Sequence, residues 1–277
     1  MKKKSTLNLI ICFSFLIYCS CGSNKTNDKT KSSDTTAKHT LNTKRAEVDP
    51  RNIGGDKAEE QIKIDNAMKN IAESNDPILG YWVGTFGNNM INLVISMVNG
   101  NEITGHSVCA GNYRPIKGTI KLNKANPHEV IMEEPGDDKY DGKFQFTLDL
   151  TKMEIKGNWK PFKAKGNSEK NYVLAKKQHE YDPSVGQYPQ GSQRLLTEAD
   201  VENYGVEDLE IMRNEIYARH GYSFKNKKMR QYFESQDWYM PVGVDIRTQL
   251  TNDEVENIAL IYRYEEYYKV NYDDYGR

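Results

Sequence analysis

The residues best equipped for chemistry sit close together near the carboxyl end of the chain. Arg219 and His220 set a permanent cation beside a titratable imidazole. Glu215 stands four residues before Arg219, the spacing at which a carboxylate and a guanidinium meet on one helix face. Read as an active site, this set would offer acid–base work beside a fixed charge, and Asp237 could complete a charged cleft. The pattern around it argues for another use. Arg213 and His220 share an apolar stripe with Leu209, Met212 and Ile216. Polar groups so placed are normally satisfied by hydrogen bonds inside a small core, here to carboxylates such as Glu254 or Glu256. No Ser or Cys stands where a base would activate it. The expectation is a structural set comprising Arg213, Tyr217, Arg219, His220, Gly221, Trp238 and Tyr239, with no catalytic residue.

These residues need helices to hold them, and the period from about residue 196 is helical. Thr197-Glu198-Ala199-Asp200 has the form of a helix start. Asp208 can open the next helix, and Gly221 supplies its left-handed stop. Met229 to Phe233 forms a short helix, and Thr251-Asn252-Asp253-Glu254 is a capping box ahead of Val255, Ile258, Ile261 and Tyr262. The stretch from Arg213 to Gly221 contains Tyr217-Ala218-Arg219-His220-Gly221, and the match continues through Phe224, Tyr232-Phe233, Trp238-Tyr239, Pro241, Leu250-Thr251, Glu254, Glu256-Asn257-Ile258 and Ile261. This segment, taken as 196–270, resembles the YARHG domain. The resemblance implies a small helical domain, presumed extracellular, common on bacterial envelope proteins and without an established catalytic role. In the tail, Tyr262, Tyr264, Tyr267, Tyr268, Tyr272 and Tyr275 are interleaved with Glu265, Glu266, Asp273 and Asp274. This suits a helix packed on one side with a frayed end, although amphipathic aromatics are also favoured at binding surfaces.

Before this module, residues 179–195 hold prolines, glycines and little apolar material, and read as a linker. Residues 77–178 have a period of two. Eight runs stand out: Leu79–Phe86, Met90–Val98, Glu102–Cys109, Arg114–Leu122, Glu129–Glu134, Gly142–Leu150, Met153–Lys160 and Tyr172–Lys176. Short turns between them predict an eight-stranded antiparallel meander, closed as a small barrel or folded as a sandwich. Gly80-Tyr81-Trp82 on the first run resembles the opening of lipocalin and avidin-like barrels, which implies a calycin-like barrel. Lys176 or Lys177 would then cover Trp82. Trp82 reads as a core plug; in the alternative, Trp82 or Trp159 walls a ligand cavity.

Residues 56–76 predict an amphipathic helix carrying Ile64, Met68, Ile71 and Ala72, stopped at Asn75-Asp76-Pro77. Residues 22–55 are polar with almost nothing to bury, so a disordered tether is expected, reaching roughly 30–35 Å by flexible-chain scaling. Residues 1–21 combine Lys2-Lys3-Lys4, an apolar run from Leu7 to Tyr18, and Cys19-Ser20-Cys21. The run is shorter than the roughly twenty residues needed to span a bilayer. The segment resembles a bacterial lipoprotein signal peptide. Cys21, after the small Ser20, is the expected lipidation site, with Cys19 the alternative.

The net charge of −1 offers no basic field for nucleic acid. Of the four cysteines only Cys109 would remain free, and no Cys/His spacing suits a metal. No cofactor is expected. The fold class expected is α+β multidomain, the barrel followed by a small all-α YARHG domain. The leading function is a non-catalytic cell-envelope lipoprotein, held outside the cytoplasm by its N-terminal lipid and either periplasmic or surface-exposed. Its candidate partners beyond the membrane are a cell-wall polymer, a glycan or a surface protein. A carrier of a small apolar ligand inside the barrel is the alternative, and a hydrolase of envelope polymers ranks third.

Overall fold

The computed structural model of the protein describes residues 57–163 and 168–271. The expected signal segment with Cys19 and Cys21, the tether, and Tyr272 and Tyr275 lie outside the described residues. The first element is helix α1, Ala58–Ala72. Eight strands follow: β1 Gly80–Phe86, β2 Asn89–Asn99, β3 Glu102–Cys109, β4 Asn112–Lys121, β5 His128–Glu133, β6 Gly142–Asp149, β7 Glu154–Pro161 and β8 Lys170–Lys177. Each pairs antiparallel with the next, and β8 returns to β1, from Tyr81 opposite Lys177 to Phe86 opposite Tyr172. The meander is therefore a closed barrel.

Alternation sets which side chains fill it. Trp82, Phe86, Leu93, Ile103, Ile120, Met132, Phe144, Leu148, Ile155 and Leu174 belong to one buried inward cluster. At one end Phe86, Phe144, Trp159 and Tyr172 meet across the barrel, with Phe86 5.7 Å from Trp159 and 6.0 Å from Phe144. Lys170 Nζ lies 4.2 Å from the Phe86 ring centre, and the Trp159 indole donates to Glu134 Oε2 at 3.1 Å. Trp82 is fully buried and donates its indole N–H to the Ile78 carbonyl at 3.0 Å. Lys176, rather than Lys177, covers it, with Nζ 4.8 Å from the ring centre and bonded to the Pro77 and Leu79 carbonyls. The chain closes up where strands pass nearest each other: a Cβ on Gly118 would stand 1.8 Å from the Ile131 carbonyl oxygen. Cys109 packs against the barrel core, and burial pushes its thiol up to about 12 against the weaker opposing pull of Lys170.

The outer face of β2 to β4 is covered in turn. Ile64 of α1, Val108 of β3 and Val244 of the helical region form a small apolar cluster. Gln61 Oε1 accepts from Val244 N at 2.9 Å and Asp245 N at 3.2 Å. Asn92 Nδ2 donates to the Pro241 carbonyl at 2.8 Å, and Gly111 N donates to Ser223 Oγ at 2.9 Å. Arg230 Nε donates to Asn89 Oδ1 at 2.9 Å. Barrel, α1 and helical region thus share buried hydrogen bonds as well as apolar contacts.

His106 of β3 lies in this covered face, 1% exposed, its ring centre 5.2 Å from that of Tyr113 and its Nε2 without a partner among the described residues. Burial lowers its pKa to about 4. The unfolded chain, with an ordinary imidazole near 6.5, binds the proton first, so stability falls as pH drops through 6.5 toward 4. Relative to His106→Leu, the native chain should lose about 2–3 kcal/mol between pH 7 and pH 4.5. Urea unfolding of both proteins across that range measures the difference, and parallel pH profiles would refute the assignment.

Candidate functional site

The helical region contains α2 Gln190–Gln193, a 3-10 turn at Glu198–Asp200, α3 Val206–Arg219, α4 Lys227–Glu234 and α5 Asn252–Asn271. Thr197 and Asp200 close a capping box on the 3-10 turn. Asn226 caps α4 through its side-chain oxygen. α3 ends at His220, and Gly221 takes φ +72° and turns the chain. The sequence predicts one apolar stripe along α3, yet every residue from Met212 to Arg219 is buried. The apolar stripe meets α5, while the polar side is covered by the stretch 182–194, which lies against it as a strap.

Arg219 and Glu215 hold the strap by its main chain. Arg219 Nε donates to the Val185 carbonyl at 2.9 Å, and Nη2 donates to the Tyr188 carbonyl at 3.0 Å and to Glu215 Oε2 at 2.8 Å. Nη1 donates to Ser192 Oγ at 3.0 Å. Glu215 in turn accepts from Gln187 N at 2.6 Å and Tyr188 N at 2.8 Å. Both side chains are essentially withdrawn from water. Gly186, at φ +95°, lets the strap pass; a Cβ there would stand 2.7 Å from the Glu215 carboxylate. The residues 179–195 expected to link the two halves thus carry the atoms that the motif binds.

His220 faces Glu254 rather than Arg219, with Nε2 2.9 Å from Glu254 Oε2. The other oxygen of Glu254 accepts from Ser192 Oγ at 2.7 Å and from the Tyr181 hydroxyl at 3.1 Å. The Tyr181 ring stacks on His220, centre to centre 4.4 Å. Glu254 also serves its own helix, accepting from Thr251 N at 2.9 Å while Glu254 N donates to Thr251 Oγ1 at 3.2 Å. Burial pushes the Glu254 carboxyl up, but His220, Thr251 and Ser192 outweigh it and hold the group below the usual carboxylate range. Asn257, one turn on, accepts from Leu196 N at 2.7 Å and donates to the Gly191 and Arg194 carbonyls.

Arg213 forms a separate pair, with Nε 2.7 Å from Glu265 Oε1 and Nη2 3.2 Å from Oε2, and its guanidinium 4.1 Å from the Tyr262 ring centre. Tyr239 is buried and donates its hydroxyl to the Tyr222 carbonyl at 2.8 Å; Trp238 is half-buried beside Phe233 and Tyr239. Tyr217 is buried next to Tyr222. Asp237 and Glu256 are exposed and stand outside the network. Ser192, Tyr188, Asn257 and Glu265 complete it, and periodicity does not single them out. Ser192 and Tyr188 lie in a stretch without helical or strand period, and Glu265 looks like one more acid of the tyrosine-rich tail. Among the described residues no group of three or more His, Cys, Asp or Glu is placed to hold a metal ion.

Removing Arg219 leaves Glu215 buried and unpaired, a change that costs about 3–5 kcal/mol. Arg219→Ala should therefore lower the melting temperature by about 6–20 °C, at about 2–4 °C per kcal/mol for a body of this size. Gly186→Ala, which leaves every charge in place, should lower it too by forcing the strap from Glu215. Differential scanning calorimetry of the full chain reads both, and an unchanged transition in Gly186→Ala would show that the strap does not stabilise α3.

Residues 187–266 match the YARHG domain. The match opens inside the strap and so takes in Gln187, Tyr188 and Ser192 as well as the Tyr217–Gly221 motif. No curated protein and no solved structure matches the chain. The helical region that follows the barrel therefore carries a YARHG domain, held on its strap by Arg219 and Glu215.

Proposed function

We propose that this protein is a non-catalytic lipoprotein of the bacterial cell envelope, displaying its barrel and its YARHG domain for binding or structural interaction. The observation that carries this reading is the state of the motif's own groups. Arg213, Arg219 and His220 are each buried and each engaged with a carboxylate of the same domain. Their bonds hold the strap, the end of α3 and α5 to one another. The order of partners argues the same way. Nucleophilic catalysis needs an imidazole or other base on the hydroxyl, with a third group orienting the base. Here the group on the Ser192 hydroxyl is the Glu254 carboxylate, a weaker base than an imidazole because His220, Thr251 and Ser192 itself hold it below the usual carboxylate range, and Arg219 donates to the same hydroxyl.

The barrel supports a surface role over a carrier role. Aromatic rings from β1, β6, β7 and β8 meet inside it, and Trp82 is held by the Ile78 carbonyl and covered by Lys176 at the first strand. The localisation rests on the basic head, apolar run and Cys19-Ser20-Cys21 of the sequence. No described helix is long and apolar enough to cross a membrane.

Cells grown with a labelled fatty acid should label the chain, and Cys21→Ser should abolish the label. Loss of label on Cys19→Ser alone would move the anchor to Cys19. A label indifferent to both changes would sink the lipoprotein reading.

A further inference from the structure

An open groove of about 560 Å³ lies between residues 178–185, just ahead of the YARHG match, and Trp238 and Met240 within it. Sites for small ligands span about 300–1,000 Å³. Its base is rigid, because Met240 is buried and Arg219 beneath it is locked to Glu215 and the strap. Trp238 is held edge-on by Phe233 at 6.2 Å and Tyr239 at 6.3 Å. Tyr181 is held by its stack on His220 and its bond to Glu254. Two aromatic plates are thus preset.

Some of the polar groups beside them are free to bind. Gln178 and Glu180 have no hydrogen-bond partner among the described residues. Asp182 engages one oxygen, Oδ1, with Ser184. Fixed rings next to unengaged acceptors suit a ligand with an apolar face and an edge of hydroxyls. A pyranose ring has both: its C–H face can lie on an aromatic ring, and its hydroxyls can donate to carboxylates. An anion does not suit, since Glu180 and Asp182 would repel it and the lining guanidinium is committed to Glu215. A polycation is the poorer fit, because Lys177 adjoins Gln178.

We propose that this groove is a saccharide-binding site, taking a neutral oligosaccharide on Trp238 and Tyr181 with Glu180 and Asp182 accepting its hydroxyls. The assignment rests on the binding-module reading above and names its partner. The test is titration of the full chain in detergent with the β-1,4-linked tetramer of N-acetylglucosamine and, separately, with cellotetraose. Calorimetry reads binding, and tryptophan fluorescence adds a local signal, since Trp82 and Trp159 are buried and Trp238 is not. Saturable binding of at least one sugar is expected, weakened fivefold or more by Trp238→Ala and by Glu180→Gln. Glu180 is exposed, so its variant should melt with the native chain and keeps the test sound if Trp238→Ala unfolds. No binding of either sugar at millimolar concentration overturns the proposal, as does equal binding by Glu180→Gln. Tighter binding of spermidine than of either sugar also overturns it, in favour of a cationic ligand. Intact sugar that fails to bind leaves the non-catalytic reading standing, whereas shortened sugar in the mixture removes that reading and this one together.

Discussion

A guanidinium taken out of water must have its N–H groups met nearby, and Arg219 meets that need half with main chain and half with side chains. Its partners are the Val185 and Tyr188 carbonyls, Ser192 and Glu215. Glu215, equally buried, completes the exchange by accepting two strap N–H groups. A stretch with too little apolar content to order itself is thereby ordered by two charges that need it. Ser192 passes the constraint to Glu254, and Glu254 passes it to His220 and to the first turn of α5. One connected network therefore sets the strap, the end of α3 and the start of α5 against one another. A domain of this size has a modest apolar core, so polar anchoring of this kind decides its geometry as much as its stability.

The barrel is tied to that domain by a different chemistry. Asn92 and Ser223, with Gln61 of α1 beside them, are neutral and meet backbone atoms, the Pro241 carbonyl, the Gly111 amide and the Val244 amide, while Arg230 adds one bond to Asn89. Neutral bonds carry a smaller desolvation penalty than charges, so they cost little to bury between the barrel and the helical region. The apolar share of that interface is small, with Ile64, Val108 and Val244 at its centre. His106 is a buried imidazole there whose Nε2, like the Asn92 side-chain oxygen, finds no partner among the described residues. Neutral, it fits; protonated, it would bring an unpaired charge into the buried part of the interface.

What the sequence makes legible follows from which interactions are local. All eight strands appear as alternating runs, within about two residues of their ends, because one face of each is inside the barrel and the other faces out. Helix ends are legible where a cap is local: the Thr251–Glu254 box and the Gly221 turn are both present. Closure of β8 onto β1 is not local, and the period alone leaves a sandwich open; the pairing of Phe86 with Tyr172 settles it. The strap is the larger miss. Its residues carry no period because their partners, Glu215 and Arg219, lie 28 and 34 positions away from Gln187 and Val185. For the same reason Glu265 is invisible as the partner of Arg213, whereas Glu254 is found through its capping role.

The strap has two sides, and they divide structure from recognition. One side presents backbone atoms and Tyr188 to α3, and Tyr188 also donates its hydroxyl to Asp208 at 2.9 Å. The other side begins with the exposed Asp182, and just ahead of the strap Glu180 is also exposed, with Tyr181 between them turned in to Glu254. Because the same main chain bears both, a ligand on the outer side meets a surface whose position is fixed from within by Arg219. Preset groups lose little conformational freedom on binding, which favours affinity without further contacts. A ligand that binds only the ordered strap would in turn stabilise the domain in proportion to the logarithm of its concentration. Binding on the surface and charge burial beneath it are then two readings of one equilibrium, the docking of residues 182–194 on α3.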